Sequence, residues 1–381
     1  MTTSKHHDVC LVGHPYTPIG MGEHVRATFR AMRAAGQAPH LLDIYKLEQP
    51  STADQSEMEP SLQNKLSPIN VFHINGGEVE QAWNHLSYHG QWDGYNVIYP
   101  LWELPRYPEA WAQQLDRFDE IWAPSRFIQE SLQKACTKPI HHMPMSCEVT
   151  LTSFMGRRYF GIPEADYTFL FFYDLRSYST RKNPAGVLKA YRSLLARRPY
   201  AKAHLVIKVN GVDTNPAAFE ELQQQVADLH NNVTLIQRVM SGNEVKNLVR
   251  CCDCFLSLHR SEGYGFGCAE AMSLGHPVIA TAYSGNMDYM APEVSFGVDY
   301  QLVPVREGEY PHHENQVWAE PDYEQAVGYM VDLVDAPAKG RALGALARQH
   351  MQSRFAYRPI GLNYLNRLDA IRRTLGNTNL D

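Results

Sequence analysis

Residues 257–288 read SLHRSEGYGFGCAEAMSLGHPVIATAYSGNMD, from Ser257 to Asp288. Two carboxylates, Glu262 and Glu270, stand in it with seven residues between them. Gly263, Gly265 and Gly267 lie in that interval. An apolar run, Phe255 to Leu258, precedes the loop. Ala269 to Leu274 follows as a short helix, closed by Gly275, His276 and Pro277, and the β-branched Pro277 to Thr281 reads as a strand. The order strand, glycine loop, helix, strand is one βαβ unit. Glycines let a backbone approach a ligand closely and take positive φ. A helix opening behind them presents free N–H groups and the positive end of its dipole, which suits a phosphate or diphosphate. Two carboxylates beside the same loop suit vicinal hydroxyls, which donate charge-assisted hydrogen bonds to them. Together these features describe a site for a nucleotide sugar. A plain glycine turn with two surface glutamates would use the same residues, and short glycine motifs arise by chance.

The frame EG-x-G-x-G-x-x-EAM-x-x-G-x-PVIAT-x-x-SG-x-x-D resembles the C-terminal signature of family 4 glycosyltransferases. These are retaining enzymes of GT-B architecture, two Rossmann-like domains facing across a cleft. The resemblance covers most of the chain and is densest in its second half. It implies an α/β fold with an acceptor-side domain over 1–165 and a donor-side domain over 166–355. A C-terminal helix over 356–381 would cross back to the first domain.

Composition agrees with a two-domain globular chain. The 381 residues exceed one ordinary domain. Apolar residues make up 44% and charged residues 20%, both globular values. A net charge of −6 offers no basic field for nucleic acid. No run approaches the length of a membrane span, and the N-terminus is not that of a signal peptide. The expected location is cytoplasmic, with peripheral contact at the inner membrane face left open. Seven cysteines, an odd number, point to reduced thiols. Cys251 and Cys254 form a C-x-x-C, but at the end of a helical run rather than its start, so buried structural thiols are expected.

In the first half, Asp8 to Gly13 is a strand leading into a loop with Gly20 and Gly22, then a helix from Val25 to Ala35. That is how a nucleotide-binding domain opens. The resemblance places Gly20 and Gly22 towards donor phosphates or acceptor; a simple turn is the alternative. Further strands are expected at Pro39–Ile44, Ile69–Ile74, Tyr95–Leu101, Phe118–Pro124 and Ile140–Met145. The polar stretch Glu48 to Leu66 reads as a surface loop. Glu103 follows a strand's C-terminal end, where ligands gather in open α/β sheets. It is a candidate for a sugar hydroxyl, or merely an ion-pair partner of Arg106. Trp102, Tyr107 and Trp111 suit sugar stacking or, more commonly, core packing.

In the second half, Tyr167 to Tyr173 (YTFLFFY) is a continuous apolar run and hence a buried parallel strand. It opens into DLRSYSTRKNPAG, where Arg176, Arg181 and Lys182 gather before a helix starting near Pro184. The resemblance implies that an Arg and a Lys five or six residues apart neutralise the diphosphate. Arg176 and Lys182 have that spacing, with Arg181 as the alternative. Strands at Ala203–Val209, Val233–Gln237 and Tyr300–Val305 complete a second set of six. The resemblance places backbone at Arg238, Val239 and Met240 beside the nucleotide base. Helices are expected at Tyr323–Val334, Gly340–Arg354 and Pro359–Leu375.

The function this implies is transfer of a hexosyl unit from a nucleotide diphosphate sugar, GDP-mannose or a UDP-hexose, to a hydroxyl of a glycan or lipid-linked acceptor. Glu262 would hold the donor sugar and Glu270 the ribose. Gly263, Gly265, Phe266 and Gly267 would line the donor, while Arg176 and Lys182 would take the charge of the leaving phosphate. No Asp-x-Asp metal motif is evident, so no metal and no cofactor are expected. An epimerase or phosphorylase of the same architecture, or a non-catalytic sugar-nucleotide or glycan-binding subunit, would share these residues.

Overall fold

The computed structural model describes residues 8–47, 53–88, 92–229 and 231–378. It divides into two compact units, Met1–Glu148 with Ser353–Asp381, and Val149–Gln352. The strands in chain order are β1 Val9–Gly13, β2 His40–Asp43, β3 Ile69–Phe72, β4 Tyr95–Ile98, β5 Glu120–Ala123 and β6 Ile140–His142. There follow β7 Tyr167–Asp174, β8 Ala203–Asn210, β9 Val233–Ile236, β10 Cys254–Ser257, β11 Val278–Thr281, β12 Phe296–Val298, β13 Tyr300–Pro304 and β14 Val317–Pro321.

The first unit is a parallel sheet of order β2-β1-β3-β4-β5-β6. Helices such as Gly20–Ala34, Val79–Tyr88 and Arg126–Gln133 connect its strands. The helix Tyr357–Thr378 also belongs to this unit and lies on helix Gly20–Ala34. The contact is close: a Cβ added at Gly361 would stand 1.9 Å from the carbonyl oxygen of Ala31. The ring of Tyr364 stacks on that of Trp122, with centroids 5.6 Å apart. Arg367 binds Glu120, a fully buried carboxylate that also accepts from Trp122 Nε1 at 2.6 Å and the Tyr95 hydroxyl at 2.9 Å. Arg372 pairs with Asp8 at 2.7 Å.

The second unit is a parallel sheet of order β12-β11-β10-β7-β8-β9. Parallel strands covered on both faces read as unbroken apolar runs, and β7 is one. Phe169, Phe171 and Tyr173 pack into a core with Leu205, Ile207 and Val209 of β8 and with Val187, Tyr191 and Met330 of covering helices. Phe172 faces the other way, against Phe255 of β10. This unit begins at Val149 rather than near Asp166. Helix Gly242–Cys251 gathers residues 152–155, Asn243 Oδ1 accepting from Thr152 N at 2.8 Å and Asn247 Oδ1 from Met155 N at 3.0 Å. Both sheets are thus doubly wound and parallel, six strands each.

Two expectations are corrected. Tyr300–Pro304 is not part of the large sheet. It pairs antiparallel with β14, and the sheet's edge strand is the three-residue β12. A strand so short leaves little periodic signal. The stretch 48–66 is no free surface loop where it is described. Met58 is wholly buried, and Gln63 N donates to Leu41 O at 2.8 Å. One buried methionine anchors an otherwise polar segment; Glu48 to Thr52 of that stretch lie outside the described residues.

Gly361→Val should separate the last helix from Gly20–Ala34, because the added atoms have no room beside Ala31. A loss of about 3 kcal/mol is expected from overpacking at a helix contact, read as a lower chemical-denaturation midpoint. An unchanged midpoint would mean that this contact is not close in solution.

Candidate functional site

Loops at the C-terminal ends of β7 and β10 meet in the second unit, where the strand order reverses. In open α/β sheets that switch point is where ligands bind. Asp174 ends β7 and accepts from Arg176 N at 2.9 Å, turning the chain. Tyr178 and Asn183 then take positive φ, 56° and 57°, on either side of the turn Ser179–Lys182. Asn183 caps helix Pro184–Arg197 through Gly186 N at 3.0 Å. Its amide also donates to Leu258 O at 2.8 Å, tying this loop to the exit of β10.

The two left-handed residues decide which cations reach the carboxylate. Arg181 is 4% exposed and donates to Ser261 O at 2.8 Å and Glu262 Oε2 at 3.2 Å. Lys182 Nζ reaches Glu262 Oε1 at 2.5 Å. Arg176 instead folds back onto Asp174, at 2.9 and 2.7 Å, with its side chain 44% exposed. The structure therefore brings Arg181 and Lys182 together on Glu262 and leaves Arg176 at the rim. Burial pushes the Glu262 carboxyl up, but the charges of Lys182 and Arg181 and the Lys182 hydrogen bond outweigh it. The result is about 2, so the group is ionised.

The glycine loop is held from below. Ser284 Oγ accepts from Glu262 N at 2.7 Å, and Gly285 N donates to Glu262 O at 2.9 Å. A Cβ at Gly285 would fall 1.8 Å from Gly263 O, so no side chain fits there. Ser284 itself has φ 76°, an uncommon conformation for a residue with a side chain. Fully buried His259 braces the same turn. Its Nε2 lies 3.1 Å from Asn286 Oδ1, and its Nδ1 lies 3.0 Å from the Ser257 hydroxyl. The Asn286 amide donates to Thr281 O at 2.9 Å, so its oxygen is the acceptor and His259 Nε2 carries the proton. Burial lowers the His259 pKa and favours the neutral ring. Ser284 and His259 were not singled out from sequence, although both lie in the stretch 257–288.

Gly265 has φ 85° and caps helix Phe266–Leu274, and a Cβ there would stand 3.7 Å from Glu262 Cγ, so this helix starts beside the Glu262 side chain. Gly267 lets that helix lie on the sheet: a Cβ there would stand 2.6 Å from Phe255 Cζ and 2.7 Å from Phe172 Cζ. The buried hydroxyl of Tyr289 donates to Gly265 O at 2.6 Å. Phe266 sits beside Tyr264, rings 5.1 Å apart. Glu270 is partly buried one turn along the same helix. Past β9, Arg238 binds Glu244, Val239 is 85% exposed and Met240 is buried.

The remaining candidates lie in the first unit. Gly20 and Gly22 form the first turn of helix Gly20–Ala34, not the loop before it, and neither takes positive φ. The space at Gly22 is filled by the chain itself, since a Cβ would meet Thr17 O at 2.1 Å; Gly20 is open. Glu103 is partly buried in the loop after β4. Trp102, Tyr107 and Trp111 form an edge-to-face cluster with centroids 5.2–6.2 Å apart, under Gly76 and Gly77. Packing occupies these rings, and Trp102 and Tyr107 are buried. Six of the seven cysteines are buried, and all are free. Among the described residues no three His, Cys, Asp or Glu side chains gather as a metal site would need. No described helix is long and apolar enough to cross a membrane. A concavity of about 770 Å³ lies at the start of β7, among Arg157, Arg198, Tyr200 and Asp253, at the opposite end of the strand from Glu262.

The sequence model of the family described as Glycosyl transferases group 1 matches residues 157–299. That segment holds β7 to β12 and the whole Arg181–Lys182–Glu262 cluster. No curated protein sequence matches the chain. Among solved structures, Anabaena HepE in complex with UDP and glucose superposes with a TM-score of 0.71 at 14% identity, over 96% of this chain and 100% of its own. Sucrose-phosphate synthase from Thermosynechococcus elongatus gives 0.65 at 16% identity, over 98% and 100%. The lipopolysaccharide outer core galactosyltransferase WaaB, in its apo form, gives 0.62 at 14%, over 95% and 99%. At such identities the likeness is one of fold, GT-B.

The low pKa of Glu262 has a sign that can be tested. A carboxylate held at about 2 against an ordinary 4.5 contributes stability above the ordinary value and loses it as pH falls towards 2. Wild type should therefore be more stable than Glu262→Gln at pH 6, and thermal unfolding from pH 6 to 2.5 should show the gap closing. A gap independent of pH would mean that the three charges do not meet.

Proposed function

We propose that this glycosyltransferase of GT-B fold moves a hexosyl unit from a nucleotide diphosphate sugar to a hydroxyl of a glycan or lipid-linked acceptor. Its closest kinship would be with the retaining enzymes of family 4. The observation that carries the reading is the convergence of Arg181 and Lys182 on Glu262 beside the N-terminus of helix Phe266–Leu274. It lies inside the segment matched by the group 1 family.

In this reading the bond between the anomeric carbon and the β-phosphate oxygen breaks. Its electron pair stays on the diphosphate. The acceptor hydroxyl oxygen bonds to the anomeric carbon on the face the phosphate leaves, and its proton passes to a phosphate oxygen. Lys182, Arg181 and the helix N-terminus stabilise the charge that grows on that phosphate. Fixed cations of this kind serve where other enzymes use a divalent ion, so turnover should persist in EDTA. Glu262 orients the donor sugar by accepting from its hydroxyls, and Glu270 accepts from the ribose. Arg176, held by Asp174 at the rim, is given no step. UDP is the first donor nucleotide to try, because HepE was crystallised with UDP and with UDP-glucose; GDP-mannose is the second. The cytoplasmic face of a membrane is the natural place for a lipid-linked acceptor.

Thermal shift with UDP, GDP and ADP in EDTA should single out one nucleotide, and its sugar should be hydrolysed slowly. Glu262→Gln frees two cations from their carboxylate. It should bind the nucleotide at least as tightly as wild type, yet lose about 10²-fold in hydrolysis or transfer. Lys182→Met and Arg181→Met should lose nucleotide affinity, and Arg176→Ala should lose little. Wild-type turnover by Glu262→Gln would remove Glu262 from the reaction, and a complete loss in EDTA would remove the metal-free step.

A further inference from the structure

One buried charge in the second unit has no part in the scheme above. Lys208 lies near the C-terminal end of β8 and is 2% exposed. Its neighbours Ile207 and Val209 point into the apolar core, so Lys208 points to the opposite face. The ammonium has three N–H groups. It donates to Val209 O at 3.0 Å and to Asn210 Oδ1, both neutral. Among the described residues no carboxylate is within ion-pair distance of it. An unpaired cation in the interior is costly, and burial lowers its pKa to about 8 despite the nearby Asp174.

Its surroundings say what the charge faces. Lys208 is the register partner of Phe172 on β7. The Phe172 ring touches the site of Gly267, on the helix that carries Glu270. The next residue of the chain but two, Gly211, lies against Asp174 and Arg176. On its other side β8 pairs with β9, which leads into Arg238–Met240. From β10, whose exit loop carries Glu262, to β8 is two strand spacings, about 10 Å. That is the reach of a nucleoside diphosphate from its phosphates to its base.

We propose that Lys208 reads the nucleobase of the donor, donating to a ring carbonyl, and so selects uracil or guanine over adenine. Uracil offers O2 and O4, and guanine offers O6. Adenine has no carbonyl and presents an amino group that the ammonium repels. In the free protein the Asn210 amide oxygen stands in for that carbonyl. The inference rests on the nucleotide-sugar reading and adds to it the residue that distinguishes the bases.

The test is isothermal titration of wild type, Lys208→Met and Lys208→Gln with UDP, GDP, ADP and inorganic pyrophosphate. Methionine keeps the length and burial of the lysine chain, and glutamine keeps a neutral donor if methionine does not fold. Wild type should prefer UDP or GDP to ADP. Lys208→Met should weaken the preferred nucleotide at least tenfold, the scale of a hydrogen bond to a charged group, and leave ADP and pyrophosphate unchanged. Lys208→Gln should fall between. Equal weakening of all four ligands in a folded variant would make Lys208 a phosphate or structural residue, and no weakening would remove it from the site. Failure of wild type to bind any of the four would instead overturn the nucleotide-sugar reading itself.

Discussion

An ionised glutamate enclosed by two cations is the constraint on which the second unit's loops depend. Glu262 is 7% exposed and could not remain charged there alone. Lys182 and Arg181 supply the compensation, but they come from a loop about eighty residues earlier in the chain. The ion pairs therefore couple the exit of β7 to the exit of β10. Neither loop can move without leaving a charge buried and unmatched. Such triads are seldom a net source of stability, because desolvation offsets the attraction. What they supply is a fixed arrangement of charge.

That arrangement is supported by steric means as well. Gly285 leaves no room for a side chain against Gly263. Ser284 accepts an unfavourable φ to place its hydroxyl under Glu262 N. Strain of this kind persists where surrounding bonds over-determine the conformation. Here the His259–Asn286–Thr281 chain and the Tyr289 hydroxyl do so. The glycine loop is thus preorganised from beneath.

Much of this was legible in the sequence, for physical reasons. Buried parallel strands announce themselves as apolar runs, and YTFLFFY and VIAT are such runs. Gly265 and Gly267 are required by backbone conformation and by close packing, so their spacing carries information. The choice between Arg176 and Arg181 was not legible. It depends on Tyr178, between the two arginines, and Asn183, just after Lys182, adopting left-handed conformations on either side of the turn Ser179–Lys182. Spacing along the chain favoured Arg176; the turn delivers Arg181. Glycines 20 and 22 suggested a ligand loop, but Gly22 serves contact with Thr17. Lys208 was visible as the one charge within AHLVIKVN, yet nothing in the linear pattern says that it lacks a carboxylate.

The helix Tyr357–Thr378 completes the first unit although more than two hundred residues separate it from β6. The second unit is continuous in sequence, whereas the first is not. During synthesis the usual order, N-terminal domain first, cannot hold to its end. Glu120 waits for Arg367, and the edge of helix Gly20–Ala34 waits for Gly361, until the helix Tyr357–Thr378 has been made. The first unit is completed only by a helix made after the whole of the second, and until then Glu120 has its Trp122 and Tyr95 donors but not its guanidinium.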